Sequence, residues 1–173
     1  HPAMFPEQLA ERLINIYTKN PGELIFDPFL GSGSTIKAAY TLGKKSIGID
    51  LSKEYVELTR QRLKGVNQDL FANKEIKLYE PTIINDNSLN LLKHVQPESV
   101  DLVVTSPPYW DILTMKRTAD GKAIRKYSDK EDDIGNIKDY EKFLQSLKDI
   151  YTEVYKALKP NKRCCCVVMD IRK

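Results

Sequence analysis

The sequence is poor in residues that build metal sites and disulfide frameworks. Only three cysteines and two histidines occur among its 173 residues, and the cysteines are consecutive at 164–166. Neighbouring residues on an extended segment point to opposite faces, so these cysteines make poor disulfide partners, and no Cys-x-x-Cys spacing suits zinc. We therefore expect no metal site, an intracellular chain, and a buried strand at the three cysteines.

Long apolar runs are also missing. No stretch approaches the roughly 18 residues of a membrane span, and no charged segment followed by an apolar one suggests a secretory signal. The composition, 41% hydrophobic and 29% charged, is that of an ordinary globular domain, and the length predicts one domain, residues 1–173. A net charge of +3 permits nucleic acid as a partner without requiring it.

Apolar runs bounded by turn residues alternate with stretches of helical period. This alternation predicts an α/β fold with a mostly parallel sheet. Strands are predicted at 23–26, 45–51, 76–84, 100–105 and 164–169. Helices are predicted at 7–17, 34–42, 139–158, and after Ser52 as far as Leu63. Residues 111–135 form a long polar segment with little periodicity, and loops of that length in compact domains are usually functional or disordered.

A loop with two glycines, residues 27–35 (DPFLGSGST), joins the first strand to the next helix. Glycines let backbone approach a ligand closely, and a helix start presents free N–H groups. Asp50 ends the next strand, where an acidic residue can accept hydrogen bonds from ribose hydroxyls. The third glycine of G-x-G-x-x-G is replaced by Ile36, and Asp27 is poorly placed beside a pyrophosphate. The pattern favours a cationic nucleoside cofactor such as S-adenosylmethionine, and the alternative is a plain tight turn.

A proline pair follows the fourth strand, in residues 105–110 (TSPPYW). Two prolines fix φ and remove two N–H donors, which leaves a rigid turn whose carbonyls face outward. Beside an aromatic ring, such acceptors can hold an amino group while the ring stacks on the attached base. Ligands of parallel sheets gather at the carboxyl ends of strands, so we expect both loops to form one site. For this loop alone, the alternative is a strand-ending turn with a buried aromatic.

The two loops together resemble those of the N4-cytosine/N6-adenine DNA methyltransferases. Residues 1–6 (HPAMFP) are similar to the family segment that closes over the methionine part of the cofactor, and 48–56 (GIDLSKEYV) to its ribose-binding strand end. The resemblance implies a Rossmann-like methyltransferase fold with helices on both faces of the sheet, and S-adenosyl-L-methionine as cofactor. The cofactor-binding residues that it implies are Pro2, Phe5, Asp27, Pro28, Phe29, Gly31, Gly33, Ser34, Thr35, Asp50, Leu51 and Asp86. For Asp86, a turn-forming role is an equal alternative.

The same resemblance implies a reaction in which a base is flipped from duplex DNA and methylated directly on its exocyclic nitrogen. Ser106 and the Pro107 carbonyl would accept the two amino hydrogens while Tyr109 stacks on the base. The implied catalytic residues are Ser106, Pro107, Pro108 and Tyr109. Methylation at C5 of cytosine is disfavoured because it needs a cysteine nucleophile, and this loop has none. Ser106 favours N4-cytosine over N6-adenine by resemblance.

The polar segment after Trp110 is a candidate contact to DNA phosphates. Its basic side chains are Lys116, Arg117, Lys122, Arg125 and Lys126. A solvated surface loop is the equal alternative, because acidic residues at 129–133 offset much of the charge. The implied partner is double-stranded DNA rather than a membrane, in the cytoplasm of a prokaryotic, archaeal or virus-infected cell. A homodimer and a restriction endonuclease of the same system are compatible with the family.

Two family features have no candidate in this sequence. The family's sheet has seven strands, whereas five are predicted here, and no separate target-recognition domain is found. The glycine loop also precedes the proline loop, which is the less common order in the family. We therefore expect a fragment of a longer enzyme, lacking its last strands. Methylation of amino groups in RNA or protein, and a non-catalytic cofactor- or DNA-binding module, are the alternatives.

Overall fold

The computed structural model describes residues 5–66, 77–110 and 133–168. The helices are α1 (Glu7–Tyr17), α2 (Ser34–Thr41), α3 (Lys53–Lys64) and α4 (Tyr140–Ala157). The strands are β1 (Leu24–Asp27), β2 (Lys45–Asp50), β3 (Thr82–Asn85), β4 (Val100–Thr105) and β5 (Leu158–Cys166). Two short 3₁₀ turns lie at Ser88–Lys93 and Ile134–Asn136.

All five strands are parallel, in the order β3-β2-β1-β4-β5. Asp27 lies opposite Gly48, and Asp50 lies opposite Asn85, so the carboxyl ends of these strands share one edge of the sheet. The order reverses direction at β1, between β2 on one side and β4 on the other. In open parallel sheets, that reversal is where ligands bind. The predicted α/β fold is confirmed.

Side chains of the central strands alternate between two hydrophobic layers, as the period of a strand requires. Phe26 and Val103 belong to the layer that includes α4. Ile25 and Leu102 belong to the layer that includes α1 and α2. Every residue of β4 is buried, because helices cover both faces of the central sheet. The expected helices on both faces are therefore present.

The third strand is shorter than the sequence predicted. It was expected over 76–84, but pairing with β2 begins at Thr82, opposite Ile47. Pro81 precedes this first pair and has no N–H group to donate to the ladder, so the strand starts after it. Position 76 itself lies outside the described residues.

The fifth strand begins earlier than expected, and its cysteines are not buried. It was predicted at 164–169, whereas pairing with β4 already begins at Leu158, opposite Val100. An irregularity then absorbs Pro160 and Asn161 before regular pairing resumes. The predicted strand is present at the three cysteines, but its predicted burial was wrong, since Cys164 and Cys166 are exposed and Cys165 is half-buried. Among the described residues, β5 is the last strand in the sheet order.

None of the helices in the described ranges has both the length and the apolar character that crossing a bilayer demands. Most of the polar segment at 111–135 lies outside the described residues, which resume at Asp133. There, Asp133 accepts a hydrogen bond from the Gly135 N–H at 2.9 Å, and Ile134 joins the layer that includes α4. The end of this segment is therefore packed against the core.

Candidate active site

The glycine loop turns sharply from β1 into α2. Gly31 and Gly33 have φ of 50° and 80°, in the left-handed region that favours glycine. A Cβ on Gly33 would lie 2.4 Å from Thr59 Cγ2, so α3 leaves no room for a side chain there. Thr59 Oγ1 also donates to the Gly31 carbonyl at 3.2 Å. The two glycines thus let the loop pass closely under α3.

Asp27 is the buried acid at the start of this loop, with an exposed fraction of 1%. Its Oδ1 accepts hydrogen bonds from Thr105 Oγ1 at 2.6 Å and from the Phe29 N–H at 3.0 Å. Burial raises its pKa to about 6, although the hydrogen bonds from Thr105 and Phe29 act against the shift. Among the described residues it forms no ion pair with Lys, Arg or His. Its bond to Thr105 joins the glycine loop to the end of β4.

Asp50 connects the glycine loop to the end of β3. Its Oδ2 accepts the Gly31 N–H at 2.7 Å and its Oδ1 accepts the Ser52 N–H at 2.8 Å. Its backbone carbonyl accepts the Asn85 side-chain amide at 2.9 Å. The Asp50 carboxylate therefore lies at the same edge of the sheet as Asp27. Its negative charge further raises the pKa of Asp27. Its predicted contact to ribose hydroxyls stays a prediction.

Asp86, just beyond β3, is held by its own turn. Its Oδ1 accepts the Asn87 N–H at 2.7 Å and the Asn90 side-chain amide at 2.9 Å. Its Oδ2 lies 2.7 Å from His94 Nε2. The hydrogen bonds from His94 and Asn90 lower the pKa of Asp86 to about 2. These contacts are those of a turn-forming aspartate, and a contact to a cofactor adenine stays a prediction.

The proline loop is anchored at both of its ends. The Thr105 carbonyl accepts a hydrogen bond at 2.8 Å from the backbone N–H of Val167, the residue that follows β5. Trp110 Nε1 donates to the Lys138 carbonyl at 3.3 Å, and its ring packs edge-on to Tyr140 with 5.0 Å between centroids. Between these anchors, Pro107 is buried and Ser106 Oγ lies 3.3 Å from the Tyr109 hydroxyl.

The segment before α1 also reaches the glycine loop. The Phe5 carbonyl accepts a hydrogen bond from Ser34 Oγ at 3.1 Å. Glu7 pairs with Lys37 at 3.0 Å and with Arg62, so that α1, α2 and α3 meet around one carboxylate. Phe5 therefore lies against the glycine loop, and its predicted contact with the cofactor stays a prediction.

The remaining predicted site residues divide into those near the loop and those not described. The Pro28 carbonyl accepts a hydrogen bond from Ser88, and Thr35 Oγ1 donates to the Val104 carbonyl at 3.0 Å. Phe29 packs 6.4 Å from the Tyr151 ring, and Leu51, half-buried, follows Asp50. The predicted residues outside the described ranges are Pro2, Lys116, Arg117, Lys122, Arg125 and Lys126.

Sequence reasoning missed four residues that shape this edge. Thr105 was read as the end of a strand, yet its hydroxyl binds Asp27. His94, Lys138 and Tyr140 hold Asp86 and Trp110 in place. No local signal marks them, because each partner is brought close by the fold. Within the described ranges, no group of three or more His, Cys, Asp or Glu residues could hold a metal ion.

A family model described as DNA methylase matches residues 1–61 and 100–173. Among curated relatives, the orphan methyltransferase M.BamHII of Bacillus amyloliquefaciens is 50% identical over 65 residues, which are 38% of this chain and 24% of that protein. The type II methyltransferase M2.DpnII of Streptococcus pneumoniae is 48% identical over 68 residues, 39% of this chain and 25% of that protein.

A longer match is to the DNA adenine methyltransferase YhdJ of Escherichia coli K12, with 33% identity over 100 residues. It covers 58% of this chain and 33% of that protein. The matched part of the chain thus spans 24–33% of the length of these three relatives.

Solved structures with the same fold are more distant in sequence. An rRNA methylase from Streptococcus thermophilus has a TM-score of 0.57 at 14% identity, over 95% of this chain and 72% of that chain. Phosphoethanolamine N-methyltransferase 2 of Haemonchus contortus, in complex with S-adenosyl-L-methionine, has a TM-score of 0.51 at 16% identity, over 92% of this chain and 27% of that chain. At such identities the likeness concerns the fold alone, and it agrees with the predicted Rossmann-like methyltransferase architecture.

Proposed function

Because the chain belongs to the N6/N4 DNA methylase family, we propose that it transfers a methyl group from S-adenosyl-L-methionine to an exocyclic amino nitrogen in double-stranded DNA. The observation that carries this proposal is the 2.6 Å hydrogen bond between Thr105 and Asp27. It brings together the loop suited to a cationic nucleoside cofactor and the loop suited to an amino group. In this proposal residues 1–173 form a single catalytic domain.

The residues around Asp27 fit that cofactor. When bound, S-adenosyl-L-methionine supplies a methyl group on a positively charged sulfonium sulfur. Asp27 is a buried acid whose pKa is raised by burial, and no described residue gives it an ion-pair partner. A neighbouring positive charge would favour its ionised form. Asp27 and the glycine loop would thus hold the charged end of the cofactor, with Asp50 at its ribose.

The proline loop would orient the accepting nitrogen. An exocyclic amino nitrogen is a poor nucleophile because its lone pair is conjugated into the ring. Ser106 Oγ and the Pro107 carbonyl would accept the amino hydrogens, and this directs the lone pair towards the methyl group. Pro108 keeps the turn rigid, and the Tyr109 ring stacks on the base. Most of the acceleration would then come from orientation and electrostatics.

N4 of cytosine is the amino group that we propose, because Ser106 occupies the first position of the loop. N6 of adenine is the second candidate, and the match to a DNA adenine methyltransferase favours it. Both amino groups present two hydrogens to the same pair of acceptors. Analysis of the methylated nucleoside therefore has to distinguish them.

Double-stranded DNA is the partner of this proposal. The basic side chains at 116, 117, 122, 125 and 126 follow the proline loop directly along the chain, and they would neutralise phosphates beside the flipped base. We also propose a place in the cytoplasm, beside a restriction endonuclease of the same system, as the type II names of relatives suggest. A homodimer is a further part of the proposal.

The direct test is methyl transfer from radiolabelled S-adenosyl-L-methionine to duplex DNA, transfer RNA and protein, followed by nucleoside analysis. We expect label in duplex DNA as N4-methylcytosine. Tyr109→Ala should lose most of this transfer, whereas Tyr155→Ala, on an exposed tyrosine of α4, should retain it. Label confined to RNA or protein, or none at all with a chain that is folded by circular dichroism, would overturn the proposal.

A further inference from the structure

One arginine of α3 connects the glycine loop to the start of α1. The Arg62 guanidinium donates one hydrogen bond through Nη1 to the Ser32 carbonyl, inside the glycine loop. Through Nη2 it donates a second to the Glu7 carboxylate, in the first turn of α1. Both charged side chains are largely buried, with exposed fractions of 23% for Arg62 and 26% for Glu7. A single planar group therefore joins two segments that are distant in the sequence.

The contacts of Arg62 complete a closed ring of interactions around the glycine loop. Phe5, two residues before Glu7, accepts a hydrogen bond from Ser34 Oγ at 3.1 Å. Ser34 in turn follows Ser32 by two residues. The ring thus leaves Arg62 at the loop and returns to it through the start of α1. Neither the loop nor the start of α1 can shift alone without breaking one of these hydrogen bonds.

Helix α3 holds the glycine loop by its carbonyl groups. Thr59 Oγ1 donates to the Gly31 carbonyl at 3.2 Å, and Arg62 donates to the next carbonyl along the loop. Residues three apart on a helix lie on the same face, so the two donors act on the loop together. The Gly31 N–H instead donates to the Asp50 carboxylate at 2.7 Å. Because Ser32 is buried, water has poor access to replace a lost donor, and the loop should rearrange without Arg62.

We propose that Arg62 is a positioning residue for the cofactor, because it holds the glycine loop and the start of α1 in the arrangement that binds S-adenosyl-L-methionine. This inference rests on the function proposed above. Arginine suits the task because its planar guanidinium presents donors in a rigid fork, whereas the lysine ammonium is a point charge on a flexible stem. Glu7 also pairs with Lys37 of α2 at 3.0 Å, so α1 keeps one cationic partner when Arg62 is removed. Arg62 acts through the loop and not on the methyl group, so its loss should change cofactor affinity and leave the chemical step unchanged.

Cofactor affinity, measured by isothermal titration calorimetry and by steady-state kinetics, separates this role from a purely structural one. Arg62→Met keeps an unbranched apolar stem and removes both hydrogen bonds, so Kd and KM for S-adenosyl-L-methionine should rise about five- to tenfold with kcat unchanged. Arg62→Lys should recover only part of the affinity. Arg60→Met is the matched control, on an exposed arginine of the same helix that pairs with Glu57, and should bind like the wild-type chain. Unchanged affinity in Arg62→Met, an equal loss in Arg60→Met, or a loss confined to kcat would overturn the proposal.

Hydrogen exchange of the ligand-free chain, followed by mass spectrometry, tests the ring of contacts without any cofactor. Arg62→Met should speed exchange of the backbone amides at 5–9 and at 31–34, and leave β4 as slow as in the wild-type chain. Glu7→Gln weakens the pair with Arg62 but leaves the hydrogen bond to Ser32, so it should speed exchange at 5–9 only. Faster exchange throughout the chain, or no change at 31–34 in Arg62→Met, would contradict the positioning role.

Failure of this inference and failure of the proposed function give different results. If the proposed function is wrong, the wild-type chain itself binds no S-adenosyl-L-methionine. If only the role of Arg62 is wrong, the wild-type chain binds the cofactor and Arg62→Met binds it equally well.

Discussion

At the scale of single residues, Asp27 combines complete burial with an acidic side chain. Its ordinary pKa of 3.8 is raised to about 6, so the folded chain holds this proton more tightly than the unfolded chain does. The stabilisation that follows is fully present below the ordinary pKa and is lost as the pH rises through about 6. A bound positive charge favours the ionised form of Asp27. Cofactor affinity should therefore rise with pH, whereas the contribution of Asp27 to folding stability falls.

Affinity for S-adenosyl-L-methionine should therefore rise as the pH increases through about 6. Asp27→Asn should remove this pH dependence and weaken binding about tenfold or more, since a hydrogen bond to a charged group contributes about 1.5–3 kcal/mol. Isothermal titration calorimetry across this pH range checks both effects. Asp149→Asn, on the exposed face of α4, is the control and should bind like the wild-type chain. Equal pH profiles for Asp27→Asn and wild type would contradict the role given to Asp27.

Tyr109 offers a second prediction, because the proposed stacking on the base uses its ring and not its hydroxyl. Tyr109→Phe removes the hydroxyl that lies 3.3 Å from Ser106 but keeps the stacking surface. It should lower kcat/KM only a few-fold. Tyr109→Ala removes the ring and should lower kcat/KM roughly tenfold to hundredfold, given about 1–3 kcal/mol for stacking on one base. Steady-state kinetics on duplex DNA measure both, and similar losses for the two variants would argue against stacking.

At the scale of elements, the glycine turn depends on its contact with α3. Gly33 combines a φ of 80° with a Cβ position 2.4 Å from Thr59. Gly33→Ala should lower the free energy of unfolding by about 2–4 kcal/mol, from backbone strain together with overpacking. In the double variant, Thr59→Ala should recover only the part of the lost unfolding free energy that comes from overpacking.

Urea denaturation measures this effect against a suitable control. Gly65→Ala, at the end of α3, places its Cβ no closer than 3.6 Å to another atom and has a negative φ. It should change stability by less than about 0.5 kcal/mol. Equal midpoints for Gly33→Ala and Gly65→Ala would show that the turn tolerates a side chain.

Periodicity and turn residues predicted most elements to within a residue of their observed ends. α1 and β4 occupy the predicted ranges, because a helical stripe and a short apolar run are local signals. β5 was misplaced because its start depends on a partner strand. Pro160 and Asn161 indicate a break, yet pairing with Val100 extends the strand across them through an irregularity. The exposure of Cys166 likewise depends on the strand order, which no local pattern contains.

At the scale of the whole molecule, charged side chains connect three strands at the edge opposite the candidate site. The buried Asp101 pairs with Lys159 at 2.8 Å and with Lys162 at 3.2 Å. Lys162 also pairs with Glu23 at 3.1 Å, which precedes β1. Burial opposes ionisation of Asp101, but the bonds from Lys159 and the Leu24 N–H outweigh it and lower its pKa. The network therefore ties β5 to β4 and to the start of β1.

Asp101→Asn should lower the free energy of unfolding by about 1–2 kcal/mol at neutral pH, a value reduced for the partly exposed lysines. A lowered pKa gives stability that is present above the ordinary value of 3.8 and is lost as the pH falls through the folded value. The difference from wild type should therefore shrink in acid. Urea denaturation at neutral and acidic pH measures it. Glu153→Gln, in an exposed pair with Lys156, should change little at either pH, and a pH-independent loss for Asp101→Asn would contradict the network's role.

The sequence was sufficient to predict the two loops of the site, but not the contacts between them. Both loops were found from their residues, since glycine and proline patterns are local. The bond between Asp27 and Thr105 links residues 78 positions apart. It exists because β1 and β4 are neighbours, and adjacency of strands is a property of the complete sheet. The contact between Trp110 and Tyr140 likewise joins residues that are distant in sequence, and no local pattern predicts it.

The irregularity in β5 has a consequence for how the chain behaves at high concentration. Strands at the end of a sheet offer unpaired N–H and C=O groups that another chain can join, and proline, bulges and lysines discourage this. The first half of β5 has Pro160, a register shift and two lysines, at 159 and 162. The last three residues of β5, 164–166, pair regularly with β4 and include no lysine or proline. In the chain of residues 1–173, edge-to-edge aggregation during refolding should accordingly begin at 164–166. Val168→Lys, at an exposed position just beyond the strand, should lower the light scattering of the refolding chain.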